Sequence, residues 1–387
     1  MTTGNRIRRT LLAGLVAAAV VFPVSAAASP QAPAPSPTVL ADSATAQERY
    51  AANLDNLMEA ARRAQDAGHG TRSAKLRAMA GAPFPAPYGA PEQAGPAGFL
   101  AFDGRGRGRA VEVLGDLDTA DRIAVLVPGS DTTLDTYARF REGAVALQQR
   151  LRADHPRSAV VAWLGYDTPG TVSTSVLTAA RADLAAAELE PFLARLRDLM
   201  VDGARVSLLC HSYGSVVCAR TTTGSEVTDI ALYGSPGTRA GSAAELPTGA
   251  RVWAGRGSED WIGGVPHIRL GSVGFGTDPV ERAFGARPFD AGTAGHSDYL
   301  KPGSTSLASL ARIVLGPPTA AAPANPGARP SPAARTTPAD GVPLASPRAA
   351  AVPATTPATT LASSGSAAVP FLSAPTAALT LGEVPHA

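Results

Sequence analysis

The serine at position 212 lies in the pattern with the clearest chemical meaning. A continuous apolar run at residues 206–209 leads through Cys210 to Ser212 and Gly214, and small and apolar residues then predict a helix. A serine on a sharp turn between a strand and a helix, flanked by small residues, is typical of a nucleophile elbow. Gly214 meets that requirement, and Cys210 is small although it replaces the usual glycine. We predict Ser212 as a nucleophile, with a tight turn that carries an incidental serine as the alternative.

A serine nucleophile needs a base and an acid from elsewhere in the chain. The hydroxyl attacks poorly unless a histidine removes its proton, and a carboxylate orients that histidine. In a strand-turn-helix context the chain order is serine, acid, histidine. Asp260 follows a predicted strand and is the candidate acid, with Glu259 as the alternative. His296 precedes the last predicted helix and is the candidate base, with His267 as the alternative.

Two backbone N–H groups are expected to stabilise the negative charge on the reacting carbonyl oxygen. One belongs to Tyr213, directly after the serine at the predicted start of a helix. The second is expected in the loop after the predicted strand at 123–127, where Gly129 permits a close backbone approach. Ser130 is the predicted donor in that loop, and Asp131 is the alternative.

The substrate pocket is predicted from two other segments. Tyr166 and Asp167 follow a predicted strand, at the sheet edge where α/β domains bind ligands. They are candidate substrate-binding residues, although Asp167 also suits an ordinary turn before Pro169. His267 is a candidate rim residue if it is not the base. We expect residues 265–289 to shape the mouth of the pocket.

The elements that must position these residues predict an α/β domain at 99–316. Two short strands at 99–102 and 110–114 predict a hairpin. Further apolar runs are continuous rather than alternating, as in strands covered on both faces; they lie at 123–127, 159–164, 206–210, 230–233 and 252–254. Helical periodicity is present at 44–67, 135–153, 176–200 and 306–315. This alternation predicts three layers around a mostly parallel central sheet.

The two ends of the chain predict export. Arg8 and Arg9 precede an apolar stretch at 11–24 and then small residues, as in a secretory signal peptide cleaved after Ala26 or Ala28. The arginine pair also resembles a twin-arginine signal, the alternative to the general secretory route. We predict a signal peptide at 1–28 and a secreted or envelope-held protein.

The remaining segments have compositions typical of linkers and tails. Residues 29–42 are rich in proline and alanine and predict a linker, and residues 43–98 predict a helical extension followed by a second linker. Residues 317–387 are rich in Pro, Ala, Ser and Thr and predict a disordered tail, with cell-wall association as a candidate role.

Composition excludes several classes of partner. Net charge is +2 over 387 residues, which gives no field for nucleic acid. No apolar run suits a membrane span after signal cleavage. No metal-ligand spacing or phosphate loop is present in the sequence, so we predict neither a metal nor a cofactor. Cys210 and Cys218 are predicted as two buried thiols, with a disulfide as the alternative, because a helix would separate their Cα atoms by about 7 Å or more.

Several segments in order resemble the actinobacterial α/β-hydrolase family that was first catalogued as a domain of unknown function. The resemblance covers roughly residues 99–316 and rests most on the segments at 162–169 and 210–215, with further matches at 127–129, 234–237, 284–286 and 295–299. It implies an α/β-hydrolase fold and a serine hydrolase triad of Ser212, Asp260 and His296. The substrates of this family are generally unassigned.

The sequence therefore predicts an exported, cofactor-independent serine hydrolase. Its expected partner is a small-molecule or lipid ester, cleaved by an esterase- or lipase-like mechanism. Two alternatives stay open. One is a cell-envelope protein that uses the hydrolase scaffold only for binding, and the other is an acyltransferase that uses the same triad.

Overall fold

The computed structural model describes residues 31–81 and 98–316, all within one compact unit. The predicted signal peptide, the tail at 317–387 and most of the second linker lie outside the described residues. No helix of the two described ranges is long and apolar enough to cross a membrane.

An eight-stranded sheet forms the centre of the domain. Its strands are β1 (Gly98–Asp103), β2 (Arg109–Leu114), β3 (Arg122–Val127), β4 (Ser158–Leu164), β5 (Arg205–His211), β6 (Val227–Tyr233), β7 (Arg251–Gly255) and β10 (Arg287–Pro288). The order across the sheet is β1-β2-β4-β3-β5-β6-β7-β10. The hairpin β1–β2 is antiparallel, β2 joins β4 antiparallel, and all other pairs are parallel. A separate small hairpin consists of β8 (Arg269–Leu270) and β9 (Val273–Gly274).

Helices cover both faces of the sheet. They are α1 (Ala46–Asp66), α2 (Gly70–Ala80), α3 (Tyr137–Asp154), α4 (Ala180–Leu199), α5 (Tyr213–Cys218) and α6 (Thr305–Leu315). In β3, Ile123 and Val125 pack in the layer of α4 and α5, whereas Ala124 and Leu126 pack in the layer of α3 and α6. The continuous apolar character of β3 therefore has a direct cause, because both faces of the strand are buried. The predicted three-layer α/β fold is confirmed.

The N-terminal helices extend the domain beyond its first strand. Thr45 and Glu48 form a capping box at the start of α1, within two residues of the predicted helix start. The Asn53 side chain donates hydrogen bonds to the carbonyls of Phe99 and Leu100 at 3.1 and 3.0 Å, which ties α1 to β1. Helix α2 was not predicted; it begins after a break at Gly68 and has only a weak apolar pattern.

The prediction of two free thiols is wrong, because Cys210 and Cys218 form a disulfide with a Cα–Cα distance of 6.4 Å. The error lies in treating both residues as points along one helix axis. Cys210 belongs to β5, and the sharp turn at Ser212 brings the short helix α5 back against that strand. The bridge therefore joins the strand and the helix on either side of the predicted nucleophile.

Reduction of this disulfide should destabilise the domain. A loop between cysteines eight residues apart restricts the unfolded chain by about 2 to 3 kcal/mol, or roughly 5 to 10 °C in melting temperature. Thermal melting with and without a phosphine reductant measures the shift, and a Cys210→Ala/Cys218→Ala variant that does not respond to reductant is the control. Two reactive thiols in the unreduced, denatured protein would contradict the bridge.

Candidate active site

Ser212 lies at the sharp turn between β5 and α5. Its φ of 51° is in the left-handed region, which a non-glycine residue occupies only under strain and which is common at functional sites. A Cβ at Gly214 would lie 2.5 Å from the Val127 carbonyl oxygen, and one at Gly129 would lie 2.8 Å from the serine Cβ. Both glycines are therefore required for the turn to pack against the loop after β3.

The structure brings Ser212, His296 and Asp260 together. His296 Nε2 is 2.9 Å from the serine Oγ, and Nδ1 of the same ring is 2.8 Å from Asp260 Oδ1. Asp260 follows β7, and His296 precedes α6. Because the carboxylate accepts from Nδ1–H, the neutral ring has its lone pair on Nε2, where it accepts the serine O–H. The serine proton can therefore move to the imidazole without any rearrangement of these three groups.

The Asp260 carboxylate is buried yet held in its ionised form. Burial alone would raise its pKa, but hydrogen bonds from His296, from the Tyr299 hydroxyl and from the backbone N–H of Ile262 outweigh that effect and lower the pKa. An ionised carboxylate at this position stabilises the positive charge that the imidazole acquires when it takes a proton.

Tyr299 is a site residue for which the sequence suggested no role. Its buried hydroxyl donates to Asp260 Oδ2 at 2.6 Å and accepts the backbone N–H of Gly257 at 3.1 Å. Tyr299 therefore fixes the carboxylate oxygen that faces away from His296. Its position three residues after the predicted base was the available signal.

His211 supports the loop that carries the imidazole. Its Nε2–H donates to the His296 carbonyl at 2.7 Å, and its ring lies 4.9 Å from the His296 ring and 5.2 Å from that of Tyr233. Removal from water, with a smaller effect of His296, lowers the pKa of His211 to about 3. The ring is thus neutral near pH 7 and keeps the N–H that this bond requires.

The alternative acid and base lie outside this arrangement. Glu259 is exposed. His267 Nε2 lies 3.7 Å from Asp278 and 3.4 Å from the Ser235 carbonyl, and no hydrogen bond joins it to Ser212 in the described residues. The assignment of His267 to the rim of the pocket stays a prediction.

The loop after β3 distinguishes the two candidate oxyanion donors. The Asp131 N–H is already used, because it donates to the Pro169 carbonyl at 3.0 Å. Within residues 31–81 and 98–316, the N–H groups of Ser130 and Tyr213 donate to no other residue. The geometry therefore favours Ser130 over Asp131 as the partner of Tyr213.

Tyr166 and Asp167 line a cavity of about 80 Å³ that does not include the triad residues, and their substrate-binding role stays a prediction. The side chain of Tyr166 is buried, stacks on Trp163 and donates to the Pro128 carbonyl at 2.7 Å, so it supports the loop that leads to Ser130. Asp167 is exposed, and its carbonyl accepts from Arg181. No contact in the described part of the chain joins either residue to the serine, imidazole and carboxylate. In the same part, no group of three or more His, Cys, Asp or Glu side chains could hold a metal ion.

Comparison with known proteins agrees with the fold. A family model described as alpha/beta hydrolase matches residues 103–270. An uncharacterized protein of Mycobacterium tuberculosis is 31% identical over 263 residues, covering 58% of this chain and 40% of that protein. An uncharacterized protein of Mycobacterium bovis is 30% identical over 216 residues, covering 53% of this chain and 73% of that protein. The chain belongs to the α/β-hydrolase family, and it spans about 40% of the length of the first relatives that it matches.

Two solved structures are similar at lower identity. A carboxylesterase from Mesorhizobium loti is 16% identical with a TM-score of 0.35, covering 54% of this chain and 95% of that chain. Esterase LipW from Mycobacterium marinum is 16% identical with a TM-score of 0.34, covering 53% of this chain and 75% of that chain.

Acid should destabilise the protein partly through His211. A histidine with a pKa near 6.5 when unfolded and about 3 when folded binds its proton only in the unfolded state between those values. The contribution of this group to the free energy of unfolding is thus fully present above pH 6.5. It falls on acidification towards pH 3, by up to about 1.4 kcal/mol per pH unit. His211→Gln keeps an N–H donor but does not titrate, so its melting temperature should fall less than that of the wild type between pH 7 and pH 4. Parallel curves for the two proteins would contradict the assignment.

Proposed function

We propose that the protein is a serine hydrolase that cleaves carboxylic esters through an acyl-enzyme. The observation that supports this most is the continuous hydrogen-bonded series from Ser212 Oγ through His296 to Asp260, with distances of 2.9 and 2.8 Å. Nucleophile, base and orienting acid are then all within hydrogen-bond distance before any substrate arrives.

In the first half of the reaction, Ser212 Oγ attacks the ester carbonyl carbon as its proton moves to His296 Nε2. The carbonyl π electrons move onto oxygen, and the N–H groups of Tyr213 and Ser130 stabilise that charge. Asp260 stabilises the imidazolium. When the tetrahedral intermediate collapses, the bond to the alcohol oxygen breaks, and the imidazolium gives its proton to the leaving alcohol.

In the second half, water replaces the alcohol. His296 takes a proton from the water as its oxygen attacks the acyl carbon, and the intermediate collapses with cleavage of the bond to Ser212 Oγ. The imidazolium returns the proton to the serine, and the carboxylic acid leaves. No cofactor takes part in this sequence of steps, because every proton is carried by the imidazole.

We also propose that the protein acts outside the cytoplasm. The signal-peptide pattern at 1–28 supports this, and so does the disulfide, because such bridges persist in oxidising compartments. The thiol titration described above bears on this proposal as well, since a reduced pair would remove its second support.

Replacement of the nucleophile should abolish turnover. Ser212→Ala is expected to lower kcat on a p-nitrophenyl ester by about 10⁴- to 10⁶-fold. A fluorophosphonate probe should label the wild type at Ser212 and leave the variant unlabelled, as read by peptide mass spectrometry. Ser258→Ala, at an exposed serine of the loop before Asp260, is the matched control and should keep both labelling and turnover. An unlabelled wild type would favour a binding module on this scaffold.

Loss of the Tyr299 hydroxyl should lower kcat with little change in KM. Tyr299→Phe removes one donor from the Asp260 carboxylate, and a hydrogen bond to a charged group of about 1.5 to 3 kcal/mol corresponds to roughly a 10- to 100-fold loss. Tyr233→Phe is the control, because its ring packs 5.1 Å from that of Tyr299 but donates nothing to Asp260. Equal losses in both variants, or a loss confined to KM, would contradict a positioning role for Tyr299.

A further inference from the structure

Large apolar side chains are exposed around the candidate active site. Most exposed residues of this type in the described ranges lie in two loops, one after β4 and one after β7. We call the following six the apolar rim: Leu177, Trp261, Val265, Ile268, Leu270 and Val273. Contiguous exposed apolar side chains are uncommon on proteins without a partner for them and mark binding surfaces.

The two loops of the apolar rim are joined to each other and to the nucleophile turn. The Tyr213 hydroxyl donates to the Thr178 carbonyl at 2.7 Å, and Thr178 forms an isolated β-bridge with Val273. Phe275, two residues further on, packs edge to face on the Tyr213 ring at 5.8 Å. The loops that carry Leu177 and Val273 are therefore attached to the residue that follows Ser212.

On the other side of the serine, the rim reaches the imidazole. The half-exposed Trp261 ring lies 4.6 Å from the His296 ring, and the turn that holds Trp261 starts at Asp260. An ester carbonyl placed at Ser212 Oγ thus has the apolar Trp261 ring close to the imidazole that serves it.

The charge of these loops indicates what kind of group they bind. Residues 170–180 contain no Lys, Arg, Asp or Glu, and residues 261–277 contain only Arg269. Arg269 itself donates to the Arg239 carbonyl. These two ranges offer no charged side chain other than Arg269 to a phosphate or a charged peptide, whereas their exposed apolar side chains can contact a hydrocarbon group.

The exposure of the site and of the rim indicates how such a group would be bound. Two cavities of about 510 and 80 Å³ in the described structure are lined by other residues, and neither contacts Ser212 or His296. Ser212 and His296 are each partly exposed, and the half-exposed Trp261 ring lies beside His296. Because the rim side chains are 39 to 72% exposed, a hydrocarbon chain that contacts them would keep part of each methylene in contact with water.

We propose that the apolar rim binds the hydrocarbon chain of the ester, so that the substrate class is esters with a long acyl or alkyl chain. This inference rests on the proposed hydrolase function. Full burial of one methylene strengthens binding by about fourfold, so contact on one side should contribute about twofold. Chain length should therefore act on KM and kcat/KM, because the rim contacts the chain and not the reacting atoms.

The test is a chain-length series with the full protein. We expect kcat/KM to rise about twofold per methylene from p-nitrophenyl acetate to octanoate, or from ethyl to octyl acetate, all below the concentration at which the ester aggregates. The first series reports an acyl chain in the rim, and the second reports an alkyl chain. A rise in either series supports the inference.

Matched variants test whether the rise of kcat/KM with chain length depends on the apolar rim. Leu177→Ser and Ile268→Ser, at side chains that are 44% and 56% exposed, should flatten the series that rises. Met58→Ser and Val39→Ser are the controls: these side chains are 46% and 62% exposed, and their N-terminal segment packs against β1 at the opposite sheet edge. The controls should keep the wild-type slope, and melting temperature and fluorophosphonate labelling establish that all four variants are folded.

Two outcomes would overturn the inference and leave the proposed function intact, and a third would overturn the proposed function itself. Ser212-dependent hydrolysis with no chain-length dependence in either series would remove the rim from substrate binding and leave the hydrolase intact. A wild-type dimer that Ile268→Ser dissociates, again with flat series, would assign the rim to self-association. No Ser212-dependent hydrolysis of any ester would overturn the proposed function itself.

Discussion

The hydrogen bond between His296 Nε2 and Ser212 Oγ is the contact on which the rest of the site depends. It joins residues 84 positions apart in the chain, at 2.9 Å. The serine has its position because β5 is a central parallel strand and because Gly129 and Gly214 let the turn pack against the loop after β3. The imidazole has its position because His211 and Asp260 hold its carbonyl and its Nδ1.

The rings of His211 and His296 are in contact but have opposite electrostatic surroundings. His296 faces the ionised Asp260, whose charge favours a protonated ring at the moment of proton transfer. His211 is removed from water beside that ring and has no carboxylate of its own, so its pKa is lowered to about 3 and it stays neutral. A second positive charge at this point would compete with the imidazolium. The hydrogen-bond donor that supports His296 is therefore a ring that stays neutral near pH 7.

Cys210 is a departure from the usual elbow sequence, and its disulfide gives a structural reason for that departure. A glycine is normal at this position because the side chain must be small, and the cysteine satisfies that limit while forming a bridge to Cys218 in α5. Strand, strained serine and helix are thus linked covalently as well as by packing. Strain at Ser212 requires surroundings that restrict the backbone, and the bridge is one such restriction.

The sequence by itself determined the three-layer fold and the seven longer strands of the sheet, and it singled out Ser212, Asp260 and His296 as candidates, with Glu259 and His267 as alternatives. These depend on local patterns, namely continuous apolar runs, helical spacing and a small-residue turn, and on the fixed chain order of a strand-based triad. Tertiary structure alone decided the roles of Tyr299 and His211, the disulfide, the burial of Tyr166 and the preference for Ser130 over Asp131. Each of these depends on which groups from distant parts of the chain come into contact at the sheet edge, and on which N–H groups already have an acceptor. Local sequence patterns contain no information about the distances between such groups.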